Sequence, residues 1–147
     1  MGQYVSAAFA IVLLALVTVS GMSLAGAFEA RATVSTITVM AATDMSVDGG
    51  YTPAVQAAIQ SSLTAHGLSG TASVSVMVNN GQSDNTAWYG DTYTVSITYE
   101  LPIALTGGSV TIPVTTSAPG VSTYPCTAAQ ATVGNCTAPS SIPGGSV

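Results

Sequence analysis

Residues Tyr4 to Phe28 read YVSAAFAIVLLALVTVSGMSLAGAF, without one charged side chain. Coiled as an α-helix at about 1.5 Å of rise per residue, such a run spans the roughly 30 Å hydrocarbon core of a bilayer. It is too long for an ordinary core helix. Leaving its Val, Leu, Ile, Phe and Met side chains in water would forgo roughly 1.5–3 kcal/mol apiece, tens of kcal/mol together. The segment therefore needs lipid, or copies of itself, around it. Val5, Phe9, Val12, Leu13, Leu16, Val19 and Leu24 are the candidate helix-bundle contacts. Ser6 with Ala10, and Gly21 with Ala25, are small pairs four residues apart that let helix backbones approach closely.

Working outward, Glu29 to Ala42 (EARATVSTITVMAA) has no Pro or Gly and keeps Val34, Ile37 and Ala41 at helical spacing, so one helix is expected from about Gln3 to Ala42. Glu29 and Arg31 lie two apart and do not face each other along a helix. Each either meets a neighbouring subunit or marks the end of the apolar zone. Asp44 to Gly50 supplies turn formers. Thr52-Pro53 then has N-cap and first-turn chemistry, and Gly67 stands where a helix C-terminus favours a left-handed residue. Between them Val55, Ala58, Ile59, Ser62 and Leu63 predict a short amphipathic helix covering a sheet.

From Gly70 the period becomes two. Val74, Val76 and Val78, and then Tyr93, Val95, Ile97, Tyr99 and Leu101, alternate with mostly polar residues and predict half-buried strands. Val110, Ile112 and Val114 predict a third, which Pro113 confines to an edge. From about Ser117 the Ser/Thr/Pro-rich tail reads as irregular chain tied down by a disulfide. The expected fold is α+β: a long protruding N-terminal hydrophobic helix (1–48), then an exposed head (49–147) with one short helix packed on an antiparallel sheet.

Only 5% of the 147 residues are charged, with Arg31 the sole Lys or Arg. Nucleic acid is excluded as a partner, because neutralising phosphates takes several cations on one face. Cys126 and Cys136 favour an extracellular disulfide, since two ligands without a nearby His do not close a zinc site. Asn135-Cys136-Thr137 matches the N-glycosylation acceptor pattern, and the Ser/Thr-rich tail offers O-linked sites by composition.

No convergent ionisable set predicts an enzyme, and no cofactor or metal site is expected. His66, the single His, suits a helix C-terminus. Asp44 and Asp48 lack the ligand count of a calcium loop and read as a solvated turn. Tyr93 and Tyr99 share the parity of Val95 and Ile97 and belong in the core. Trp88 and Tyr89, in the long loop from Asn79 to Gly90, are the candidate surface interface, for a sugar or for the next subunit.

The order of elements, with Ala65-His66-Gly67-Leu68 closing the second helix and Tyr89-Gly90-Asp91-Thr92-Tyr93-Thr94-Val95-Ser96-Ile97-Thr98-Tyr99 opening the main strand, resembles the TadE-like pseudopilins of the tight-adherence pilus class. More distantly it is similar to type IV pilins. The resemblance covers about residues 1–115. It implies a membrane-inserted precursor, handled by a pilus export machinery, whose helix leaves lipid for the core of an extracellular homopolymer. The partners are then the membrane before assembly and further copies after it. A minor, membrane-retained pseudopilin and an anchored adhesin or glycan-binding module are the two alternatives.

Overall fold

A computed structural model describes residues 2–68, 70–80, 85–105, 108–145 and 147, with the side chains of 2–5, 20, 23, 24, 104, 105 and 108 outside that description. Helix α1 runs unbroken over Gly2–Asp48, about 70 Å at helical rise. No Pro interrupts it, and its hydroxyls bond back to its own carbonyls. Thr18 Oγ1 donates to Leu14 O at 3.0 Å and Ala15 O at 2.9 Å, Thr36 to Ala32 O at 3.1 Å, and Thr43 to Val39 O at 3.0 Å. Polar side chains are thereby accommodated without loss of helical bonding.

The helix ends six residues later than the sequence predicts. Asp44 to Asp48 are helical because Met45 completes the inward stripe of Ala30, Val34, Ile37, Thr38, Ala41 and Ala42, all buried, while Asp44 is exposed and Asp48 only half-buried. The stop is Gly49-Gly50. Gly49 takes φ 77°, a left-handed value that costs glycine little, and the two amides donate to Met45 O at 3.0 and 3.2 Å. Only the second half of α1 packs on the rest of the protein. From Ser6 to Gly26 every described side chain is exposed. Among the described residues no helix is long and apolar enough to cross a membrane.

Helix α2 (Pro53–Ala65) begins as its sequence predicts, with the Thr52 hydroxyl accepting from Val55 N at 3.3 Å. It buries Val55, Ile59 and Leu63; Ala58 is exposed. The strands β1 (Ala72–Val78), β2 (Thr92–Leu105) and β3 (Gly108–Val121) form an antiparallel meander in the order β1-β2-β3. Tyr93, Val95, Ile97 and Tyr99 share one core with the inward residues of both helices, which matches the two-residue period. β3 is an edge strand, so Pro113 and Pro119 can both sit in it. It continues to Val121, past the point where the tail was expected to become irregular.

Tyr93 ties β2 to the end of α1: its hydroxyl donates to Ala42 O. Burial pushes this phenol up to about 12, with the Ser46 hydroxyl pulling weakly the other way, and burial also raises Tyr51. A phenol whose folded pKa exceeds its unfolded value, about 10, contributes stability that is complete below about pH 10 and is lost as pH rises towards 12. The melting temperature is therefore expected to fall steeply over that window. Tyr93→Phe should melt lower at pH 8 and show a shallower alkaline decline; an unchanged decline would assign the alkaline loss elsewhere.

The tail is more ordered than its composition suggests. Cys126 and Cys136 are bonded, a closure of a short loop that contributes about 3 kcal/mol through the unfolded chain. The loop holds α3 (Ala128–Thr132), capped reciprocally by Thr127 and Gln130. The last residues then return along the free edge of β1. Val74 N donates to Gly145 O at 2.9 Å, and Val147 N to Ala72 O at 2.9 Å. Gly144 lies so close that a Cβ there would stand 2.4 Å from Val74 O. An edge otherwise open to pairing with another chain is covered.

Candidate functional site

The largest unexplained feature is the surface of the first half of α1. Phe9, Ile11, Val12, Leu13, Leu14, Leu16, Val17, Val19 and Met22 are 48% to 77% exposed. With Phe28 they leave on the order of 1,000 Å² of apolar area in contact with solvent, where soluble monomers rarely show a patch above about 300–600 Å². At about 25 cal/mol per Å², covering it is worth on the order of 25 kcal/mol.

Phe9, Val12, Leu13, Leu16 and Val19 are all exposed, as bundle contacts must be in a single copy. So are Ile11, Leu14 and Val17 on the other sides of the helix. The surface is apolar all round rather than striped, which is the pattern of a helix buried on every side. Val5 and Leu24 lie outside the described side chains. Of the small residues, Ser6, Ala10, Gly21 and Ala25 are all exposed. A Cβ built at Gly21 or Gly26 meets nothing within 4 Å, so neither glycine is needed for packing inside one copy.

The remaining candidates separate. Tyr89 is 63% exposed, on a loop pinned by Tyr89 N to Cys126 O at 3.0 Å and Gly90 N to Ser122 O at 2.9 Å. Trp88 is half-buried, its own amide donating to Asp91 Oδ2 at 2.9 Å. Asn135 is exposed beside the bonded Cys136, just after Gly134 turns the chain with φ 75°. His66 Nδ1 lies 2.8 Å from Ser62 O at the end of α2, the capping position read from its sequence. Asp48 accepts from Thr52 Oγ1 at 3.1 Å. No cluster of metal-ligating side chains occurs among the described residues.

Two features escaped the sequence reading. Thr38 and Thr116 meet through their hydroxyls at 2.6 Å between α1 and β3, a pairing that neither segment's period signals. An open groove of about 450 Å³ separates Ala27, Phe28 and Arg31 of α1 from Ile112, Pro113, Val114 and Thr115 of β3. Val110 and Ile112 beside it share the parity of buried Val114, yet they are exposed.

No protein-family model, curated protein or solved structure matches this chain.

Proposed function

We propose that the chain is the structural subunit of an extracellular, pilus-like homopolymer whose core is a bundle of α1 helices and whose outer surface is the α+β head. The observation that carries this is the exposed helix surface from Phe9 to Phe28, apolar on every side and attached to a head that has its own core. A surface of this kind takes its cover from lipid or from like surfaces. A disulfide is compatible with an oxidising exterior.

Lipid tails and neighbouring Leu and Val side chains are comparably apolar surroundings, so a membrane-inserted precursor can yield its helix to a polymer at small cost. Close packing then adds dispersion energy. Exposed Gly21 and Ala25 permit that closeness. The TadE-like layout supports the same reading and adds an export machinery as the partner that moves the subunit outward.

Electron microscopy and mass spectrometry of material sheared from native cells test the proposal. Filaments whose main band is this chain are the expected result. A chain that stays with the membrane fraction and contributes almost nothing to the filaments would point to the minor, retained subunit. A dispersed monomer in buffer without detergent would overturn both.

A further inference from the structure

We infer that the inner face of the β2–β3 hairpin, together with the groove at Phe28, is a docking site for the uncharged leading helix of a second copy. This deepens the filament reading and rests on it.

In β2 the odd positions face the core, where Tyr93, Val95, Ile97 and Tyr99 are buried under the helices. In β3 the even positions do so, through Val114 and Ala118. Both sets continue towards the turn as apolar residues, with Leu101 opposite Ile112 and Ile103 opposite Val110. Period-two geometry keeps all four on that face. The cover does not continue with them. Val110 is 50% and Ile112 43% exposed, and Phe28 across the groove is 64% exposed. A face that is apolar on both strands, and is helix-covered over the rest of its length, therefore opens here to solvent.

Area and charge together identify the occupant. A stable contact buries about 800 Å² on each partner, and among the described residues only the first half of α1 exposes apolar area of that order. The groove contains one charged side chain, Arg31, and residues 4–28 contain none. That helix brings no charge of its own into the groove, so Arg31 is the one charged group there that its entry can strip of water. Its all-round apolar surface leaves none of its faces wet when a hairpin covers one side and sister helices cover the others.

A polymer grown by one repeated operation keeps its copies parallel. The level of Phe28 is then met by Phe9 to Leu16 of a copy displaced roughly 18–28 Å along the axis. Leu13 of one copy lies against Ile112 of another in that arrangement.

The test uses the full-length chain carrying Leu13→Cys and Ile112→Cys. Both native cysteines are bonded to each other and no other is free, so the introduced thiols are the only reactive ones. Assembled polymer is oxidised with diamide and run on non-reducing gels. The expected result is a ladder extending beyond dimer from the double variant and monomer alone from each single variant; with 13-to-13 and 112-to-112 links thus excluded, only a link from 13 to 112 accounts for the ladder. Polymer without such a ladder overturns this inference and leaves the filament reading intact, whereas absence of polymer from the unaltered chain overturns the filament reading itself. If the double cysteine variant does not assemble, Val110→Thr with Ile112→Thr decides. Both changes keep strand propensity at exposed positions, and pelletable polymer is expected to fall at least tenfold with head melting unchanged; a normal yield overturns the docking site.

Discussion

Leu13→Asp is expected to abolish filaments while leaving the head as stable as before. Leu13 is an exposed side chain of α1, and the first buried residue among the described side chains of the helix is Ala30, about 25 Å further along at helical rise. Nothing in the head's core senses position 13. In a bundle each subunit brings one new carboxylate into an apolar interior, at a cost of several kcal/mol for an unpaired charge. Arg31, the one strong cation of the chain, lines the groove that receives position 13 of another copy, but pairing there strips water from both charges, a loss that a buried pair repays only with excellent geometry. The penalty recurs at every subunit added, so growth stops instead of slowing. Pelletable polymer and micrographs read the first half of the prediction, and thermal melting of the head reads the second. Leu13→Ile should assemble normally. Filaments of ordinary length from the Asp variant would show that α1 is not the core.

Much of the head could be read from local chemistry. Thr52-Pro53 and Gly67 bracket α2, and the alternation around Val95 and Ile97 selects the residues that are buried. Both signals are short-range, arising from backbone satisfaction at a helix end and from the two-residue period of a strand. The errors arose where a distant partner decides. Asp44 to Asp48 contain good turn formers, yet Met45 between them has a core to enter, and its burial at about 2 kcal/mol outweighs the modest propensity penalty of two aspartates. Pro119 reads as a strand breaker, but its missing amide costs nothing on an open edge. The return of Gly145 and Val147 onto β1 is backbone pairing with no side-chain period to announce it. The groove at Phe28 is invisible for a related reason: alternation marks Val110 and Ile112 as inward-facing but does not say whether a helix lies above them.

Gly120→Val is expected to destabilise the head more than any other small substitution on the sheet. Gly120 stands opposite Tyr93 in the β2–β3 register, and a Cβ on it would lie 2.4 Å from Tyr93 Cζ and 2.6 Å from Cε2. The ring has little freedom to withdraw. It is 1% exposed, packed in the shared core, and anchored through its hydroxyl to Ala42 O. A side chain at 120 therefore either breaks the bond that joins β2 to the end of α1 or pushes the C-terminal end of β3 off its partner. Overpacking and a lost buried hydrogen bond together cost on the order of 3 kcal/mol, or about 15 °C in melting temperature for a head of about a hundred residues. The cause can be isolated with Tyr93→Leu, which removes the ring. If the clash is responsible, the two changes combined should cost clearly less than the two costs added, because neighbours that share a contact are not independent. Strict additivity would mean that position 120 needs glycine for its backbone and not for the ring above it. The bond from Tyr93 to Ala42 would then be a consequence of the strand register and not one of the contacts that fixes the head on its helix.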